Sequence, residues 1–571
     1  MAKRIEFKLD GEDYLELGDA ALQKGEYEKA ISYFRTACSA SDDSESYTAL
    51  GVAYSKLHEL DASNAALYKA MTRALTDEDE NPALWQLCLN AAEAGEEDVA
   101  SYYLRYLGED DGAAEIRRVP SGEGMFKIAD KPAVEFCKTM LQRAGEAFAD
   151  ERPDDAIRYL DELGDAPEPY LTMAQRLRTV CLFAKGDLDR VISVCEEIEK
   201  KSPDADNKVT LAAAYCFQGR YDDVDRVLDE VLAADDIPEY VTLKLLHLLV
   251  ERQRDADILQ ITEKLSRHAR LWHASEMFRS EALYNLGKRQ EAVRVMKRVD
   301  NVFGEFSAAH YYLGIYEGEP EKVPYGCEMP QECQLAIVRG IKQITDGGDV
   351  TRLQRALTYD AAFNRDLRWV IDNCADIIAC PVLMYLSDIR SRAVEKIFRD
   401  RLIGVRLSFD QMTLIIDYLV GGGLSVQFDI VAQGRFKNVD FRLPACFRAL
   451  PKKFKSAVYR TACDIVFTDE DPTYYLDRLC AIVEDLVTAD AHGEPVWKRR
   501  SGRKIAKLRS EVTMIGVLLS EVYRDDPDPD EDAMERYELS PRTFYKYRAI
   551  FFGDDDARVR DDGGEEEDDE D

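Results

Sequence analysis

The 571-residue chain has few of the features that mark membrane proteins or metal-dependent proteins. No run approaches the roughly 18 apolar residues of a membrane-spanning helix, and the start, MAKRIEFKLDGEDYL, lacks the apolar core of a secretory signal. The six histidines do not occur in HExxH or HxH spacing, and the thirteen cysteines do not form CxxC pairs. These absences predict a protein of a reduced, cytoplasmic compartment with no metal or other cofactor.

Catalytic motifs are missing as well. The sequence contains no G-x-S-x-G nucleophile motif, no dinucleotide fingerprint and no phosphate loop. The three glycines at 421–423 end a predicted helix and are not followed by GK[ST]. We therefore expect no enzymatic activity.

Basic residues are in deficit, because 75 lysines and arginines face 110 aspartates and glutamates, for a formal charge of −35. That charge argues against a protein whose whole surface binds nucleic acid or acidic lipid. A hydrophobic content of 46% allows most of the chain to fold. The length calls for several domains or a stack of repeats.

The clearest pattern that is present is a pair of amphipathic helices over residues 14–37, YLELGDAALQKGEYEKAISYFRTA. Leu17 and Gly18 mark the first helix, and Gly25 marks the turn. The pattern returns after 33 residues at Tyr47, Leu50, Gly51, Tyr54, Leu67 and Ala70. In its spacing and its small residues, this hairpin resembles the tetratricopeptide repeat.

The resemblance covers roughly residues 10–318, in about eight units and a final half-unit. A third unit follows a four-residue acidic insertion near 76–80, and the turn glycines Gly186 and Gly219 are again 33 residues apart. It implies a right-handed α-solenoid whose groove, lined by the first helix of each unit, receives a peptide or protein. The implied function is that of a non-catalytic scaffold or adaptor.

The best-known ligand mode of this family, a basic clamp on a C-terminal carboxylate, does not fit the sequence. The corresponding positions hold no cation and read Leu15, Asp19, Ala49, Pro82 and Gln86. A basic or aromatic partner suits the first helices better, and the predicted groove residues are Glu16, Asp19, Tyr47, Tyr54 and Trp85. The alternative is that the tyrosines are simply the large core residues of the repeat.

Beyond residue 330 the 33-residue period is lost, but apolar residues keep helical spacing. Helices are predicted over residues 331–344, 365–379, 391–403, 408–420, 455–467 and 474–487. Between them, residues 425–443 alternate apolar and polar side chains about Gln433-Gly434, which predicts a β-hairpin. The expected fold class is therefore all-α, a solenoid followed by a second helical module with one small β-hairpin.

Cations concentrate in two stretches of this half, residues 434–460 and 495–509. Residues 531–552 resemble a helix-turn-helix, with Ser540 as the cap and Pro541 at the first position of a recognition helix, although Glu538 occupies the turn where glycine is usual. The alternative function is a regulator whose C-terminal module binds DNA. Its predicted contacts are Arg435, Lys437, Lys452, Lys453, Lys455, Lys498, Arg499, Arg500, Arg503, Arg542, Lys546 and Arg548.

Two simpler interpretations of this region stay open. The basic stretches can pair internally with acidic helices, since the protein is rich in carboxylates. The last helix can pack its apolar side chains onto the fold; these are Phe544, Tyr547, Ile550 and Phe551.

The patterns divide the chain into seven segments. They are repeats one to three (1–110), a linker or loop (111–132), degenerate repeats (133–318), a proline-rich connection (319–333), a helical module with the hairpin (334–495), a basic helix with the helix-turn-helix-like segment (496–552), and a disordered acidic tail (553–571).

Overall fold

The computed structural model describes residues 10–107, 131–149, 152–164, 166, 170–201, 204–234, 237–265, 272–346, 350–421, 423–487 and 510–552. Outside these residues lie positions 111–130 of the predicted linker (111–132), the cations at 498–503 and the acidic tail at 553–571. Lys131 and Pro132, which the linker prediction includes, begin a helix instead. The chain divides into two compact units. We call residues 1–55, 60–109 and 330–571 the split unit, and residues 56–59 and 110–329 the middle unit.

The first part of the split unit consists of three helix pairs, α1–α2, α3–α4 and α5–α6. In order, the helices are Gly11–Gln23, Tyr27–Ser41, Ser44–Ser55, Leu60–Met71, Asp77–Ala94 and Glu97–Leu107. The acidic insertion of the third repeat lengthens α5 at its start, because Thr76 caps the helix through a reciprocal pair of hydrogen bonds with Asp79.

The helices of the first two pairs approach closely at glycine. A Cβ atom on Gly18 would lie 2.3 Å from the ring of Phe34, and one on Gly51 would lie 2.6 Å from Leu67. Any larger side chain at these positions would force the paired helices apart.

In the described residues of the middle unit, the helices form five pairs and one single helix, α7 to α17. They are Lys131–Ala149, Pro153–Asp161, Tyr170–Ala184, Leu188–Lys201, Ala205–Phe217, Tyr221–Leu232, Glu239–Glu251, Asp255–Leu265, Trp272–Asn285, Arg289–Phe303 and Ala309–Glu317. Gly219 takes a positive φ of 71° in the turn of the sixth pair, and Gln253 takes 53° in the next pair. With the three pairs of the split unit, the described residues contain eight helix pairs and a final single helix, against about eight predicted repeat units and a half-unit.

The second part of the split unit holds α18 to α28 and the hairpin strands β1 and β2. The helices are Gln331–Asp346, Val350–Tyr359, Ala361–Asn373, Asp376–Ser387, Arg392–Leu402, Phe409–Val420, Lys452–Thr468, Pro472–Val487, Glu511–Val522, Pro529–Arg536 and Pro541–Phe552. The helix predicted over 365–379 is wrong as one element, because the chain turns extended at Cys374 and splits it into α20 and α21. Helix α19, Val350–Tyr359, was not predicted.

The hairpin prediction is confirmed. Strands β1 (Ser425–Ala432) and β2 (Arg435–Arg442) pair antiparallel, with Ala432 opposite Arg435. Gln433 and Gly434 form the two-residue turn with φ values of 52° and 73°, which the right-handed twist of the strands favours.

All thirteen cysteines are free thiols, and six are buried. Among the described helices, none combines the length and hydropathy needed to cross a bilayer.

Replacing Gly51 with alanine tests the close approach of α3 and α4. The added methyl group overlaps Leu67, so we expect the free energy of unfolding to fall by about 1–3 kcal/mol. Gly340→Ala in α18 is the matched control, because its Cβ would meet no atom within 4 Å and alanine favours helix by about 0.5–1 kcal/mol. Urea denaturation of both variants measures the difference, and equal effects of the two would contradict the packing argument.

Candidate functional site

An open cavity of about 390 Å³ lies across the first helices of the three N-terminal pairs. We call it the acidic groove; its lining residues are Leu15, Asp19, Glu45, Thr48, Ala49, Asp79 and Pro82. Three of these seven residues carry carboxylates and none carries a cation. The groove therefore presents negative charge beside small apolar surfaces.

Two polar groups in the acidic groove are more buried than polar groups on an ordinary protein surface. Partial burial raises the pKa of Asp19 above its usual value. The Thr48 hydroxyl is buried and has no hydrogen-bond partner among the described residues.

The five predicted groove residues are not all placed alike. Asp19 lines the cavity, while Glu16 is exposed on α1 and Trp85 is half-buried on α5. The half-buried Tyr47 donates its hydroxyl to Asp42 at 3.0 Å. Tyr54 is only 2% exposed, which corrects the expectation that it faces a partner, since it is a core residue of the repeat.

Several lining residues were missed as ligand contacts. The sequence indicates Leu15, Ala49 and Pro82 only as clamp positions that lack a cation. In the structure they form the apolar surface of the cavity. Glu45 and Thr48 lie one turn apart on α3, where repeat spacing places the groove face. The clamp positions of the repeat family therefore predict the lining of the groove better than the aromatic residues do.

A second arrangement joins the two parts of the split unit at the tip of the β-hairpin. The Tyr103 hydroxyl donates to the Gly434 carbonyl at 2.6 Å and accepts from the Phe436 N–H at 3.1 Å. Tyr102 donates to the Phe436 carbonyl at 2.7 Å, and the rings of Tyr68 and Phe436 lie 6.4 Å apart. Side chains of α4 and α6 thus satisfy backbone groups of the hairpin turn and β2.

The hairpin cations do not form a nucleic-acid surface. Lys437 is 4% exposed and donates to the carbonyls of Val466 and Phe467 at 3.1 and 3.3 Å, and burial lowers its pKa to about 8. Arg435 lies 3.6 Å from Glu470. These two positions correct the prediction of phosphate contacts and follow the internal-pairing alternative.

Three other predicted DNA contacts lie in the first turn of α24. Lys452 and Lys453 are exposed at the start of α24, and the ammonium of Lys455 lies 5.0 Å from the ring centroid of Phe447. Lys498, Arg499, Arg500 and Arg503 lie outside the described residues.

The turn between α27 and α28 spans residues 537–540. Glu538 adopts a positive φ of 51° where glycine is usual, and the Leu539 N–H donates to the Met534 carbonyl at 2.8 Å. Ser540 caps α28 through the Thr543 N–H, and Pro541 is the first residue of that helix.

The exposed face of these helices is mixed in charge. Arg542 and Lys546 are exposed, but Arg548 pairs with Asp530 at 3.0 Å and with Glu521 at 3.2 Å, so it is not a free contact. The first turn of α27 carries three acids, and Phe544, Tyr547 and Phe551 are buried. Packing onto the fold accounts for most of α28, and DNA binding by this segment stays a prediction.

Within the described part of the chain, no group of three histidine, cysteine, aspartate or glutamate residues is arranged to hold a metal ion.

Comparisons with known proteins bear on the repeats. The tetratricopeptide repeat model matches residues 14–43, so the chain contains this repeat. No curated protein matches the chain.

Three solved structures are similar to the chain at low identity. The P58(IPK) TPR domain shares 13% identity over 72% of this chain and 97% of its own, with a TM-score of 0.22. The APC/C hetero-tetramer Cut9-Hcn1 shares 13% over 92% and 96%, with a TM-score of 0.22. Naa15/Naa10 bound to HypK-THB shares 10% over 95% and 94%, with a TM-score of 0.17. Since these scores are low, the fold assignment rests on the repeat match and the helix pairs.

Tyr103→Phe tests the hairpin contact. Loss of the hydroxyl leaves the Phe436 N–H without its partner and the Gly434 carbonyl with only the longer bond from Tyr68 at 3.4 Å, so we expect the free energy of unfolding to fall by about 1–3 kcal/mol. Tyr359→Phe is the control, because this side chain is 84% exposed. Urea denaturation compares the two, and an equally small effect would show that the hydroxyl contributes nothing.

Asp469→Asn tests burial beneath the hairpin. Burial raises the pKa of Asp469 to about 7, although Lys437 opposes the shift. The stabilisation from its bound proton is complete below about pH 4 and is lost as pH rises through about 7. We expect the wild type to lose stability relative to the variant between about pH 4 and 7 in urea titrations. The exposed Asp388→Asn is the surface control for the loss of one carboxylate.

Proposed function

We propose that the chain is a non-catalytic scaffold whose acidic groove binds an extended, basic segment of a partner protein. The observation that carries the proposal is the cavity across α1, α3 and α5, which lies on the first helices of consecutive repeats. In repeat arrays of this kind, stacked units create an extended binding surface that no single unit has.

Charge supports a basic ligand. Glu45 and Asp79 are exposed at the groove together with Asp19, so lysine or arginine side chains of a ligand can pair with them. The Asp79 carboxylate accepts the Thr76 N–H at 3.1 Å, which fixes its position at the start of α5. Leu15 and Pro82 offer apolar surface for the stems of long cationic side chains or for an aromatic ring.

The test is the affinity of a fluorescent peptide library for the full chain. The library consists of nine-residue peptides with lysine, arginine, tyrosine, glutamate or alanine at each position, and binding is read by anisotropy. We expect selection of basic peptides whose affinity falls as salt rises, because the exposed charges are screened. Selection of acidic or neutral peptides would overturn the proposal.

The double variant Asp19→Lys with Glu45→Lys locates the ligand. It reverses the charge at the groove, and we expect the selected peptide to bind at least about tenfold more weakly. The control carries Asp222→Lys and Glu230→Lys on α12 of the middle unit, which changes the net charge equally. If both double variants weaken binding equally, the peptide responds to overall charge and not to the groove.

A further inference from the structure

In the middle unit, residues 319–329, EPEKVPYGCEM, follow α17 without forming a helix or strand. We call these residues the strap. They lie against α15, the first helix of the eighth pair, through Phe278, Glu281 and Asn285. Glu281 stands six residues before the turn glycine Gly287, as Asp19 stands six before Gly25. The strap therefore covers the same helix face that forms the acidic groove in the first repeat.

Side chains of the repeats hold the strap by its backbone. Asn285 accepts the Val323 N–H at 2.8 Å and donates to the Val323 carbonyl at 3.2 Å, as a neighbouring strand would. Three more backbone groups are held the same way: the Pro320 carbonyl by Tyr284 at 3.1 Å, the Gly326 N–H by Glu281 at 3.3 Å, and the Glu328 carbonyl by Tyr312 at 3.1 Å. This is how a groove holds an extended ligand of any sequence.

Three strap residues add sequence selectivity. The Val323 side chain is 4% exposed, and the Tyr325 ring stacks on Phe278 with centroids 6.0 Å apart. The Tyr325 hydroxyl donates to Asp255 at 2.8 Å. A Cβ on Gly326 would lie 2.4 Å from the Tyr312 hydroxyl, so the groove accepts only glycine there without a shift.

Glu281 places a carboxyl group where a permanent structural cover would need only an apolar side chain. Its side chain is fully buried, and burial raises its pKa well above the usual value, although the Gly326 N–H opposes this. An apolar residue would close the end of a repeat array more favourably than a buried carboxyl group. A carboxyl directed at a ligand N–H is what backbone recognition requires.

We propose that the strap is an intramolecular ligand, and that the groove on α15 and α17 binds in its place an extended partner segment of the pattern Val-x-Tyr-Gly. The strap competes at the high effective concentration of a tethered segment, on the order of millimolar for short links. A partner therefore binds when its own segment makes further contacts or when the strap is weakened.

A labelled peptide with the strap sequence, carrying Cys327→Ser to prevent oxidation, tests the proposal on the full chain. The strap variant Val323→Ser with Tyr325→Ala frees the groove. We expect fluorescence anisotropy to show at least about tenfold tighter peptide binding to this variant than to the wild type. A peptide carrying the same two substitutions should not bind either protein.

Adding Asn285→Ala to the strap variant assigns the binding to the groove, and we expect it to return peptide affinity to the wild-type level. Circular dichroism checks that each variant keeps its helices. A folded strap variant that binds the peptide no better than the wild type would overturn the proposal.

Hydrogen exchange of the wild type keeps the proposal testable if the strap variant unfolds. A displaceable strap opens by itself, so the amides of Val323 and Gly326 should exchange at least about tenfold faster than the buried amides of α15. Excess unlabelled Val-x-Tyr-Gly peptide should speed their exchange further. Exchange of strap and α15 amides at one common rate would show a permanent structural cover and overturn the proposal.

Discussion

The first two helix pairs of the repeats depend on a close approach that their own sequence must allow. At Gly18 and Gly51 the backbone of the first helix lies against the ring of Phe34 or the side chain of Leu67, with no room for a Cβ atom. Close pairing directs the remaining side chains of each first helix away from its partner. Those side chains form the acidic groove in the split unit and hold the strap in the middle unit.

Both units use the same device to hold irregular backbone. Tyr103 supplies a donor and an acceptor to the tip of the β-hairpin, and Asn285 supplies both to Val323 of the strap. In each case a side chain on a repeat helix replaces the neighbouring strand that backbone groups otherwise need. The surface of a repeat array is thus suited to binding extended chain, whether that chain is its own or a partner's.

The sequence predicts the local elements well and the long-range contacts poorly. The 33-residue repeat predicts the helix pairs, and Gln433-Gly434 predicts the hairpin turn. Both predictions succeed because the residues that specify each element are close together in the sequence. Nothing near Lys437 indicates that it is buried against the end of α24, since the carbonyls it binds come 29 and 30 residues later. The same limit applies to Tyr54, because groove and core tyrosines have the same spacing within a repeat.

The two parts of the split unit are far apart in the sequence, and this affects how the unit folds during synthesis on the ribosome. Tyr103 and its partner Gly434 are 331 residues apart, so the ribosome adds residues 110–329 of the middle unit between them. At about 5–20 residues per second, the first three repeats wait roughly 20–60 s before the hairpin emerges. During that interval Tyr68, Tyr102 and Tyr103 have no hairpin to cover them, and the nascent chain presents an aromatic surface that the finished protein buries. A chaperone that acts on this protein has its clearest target in this aromatic surface.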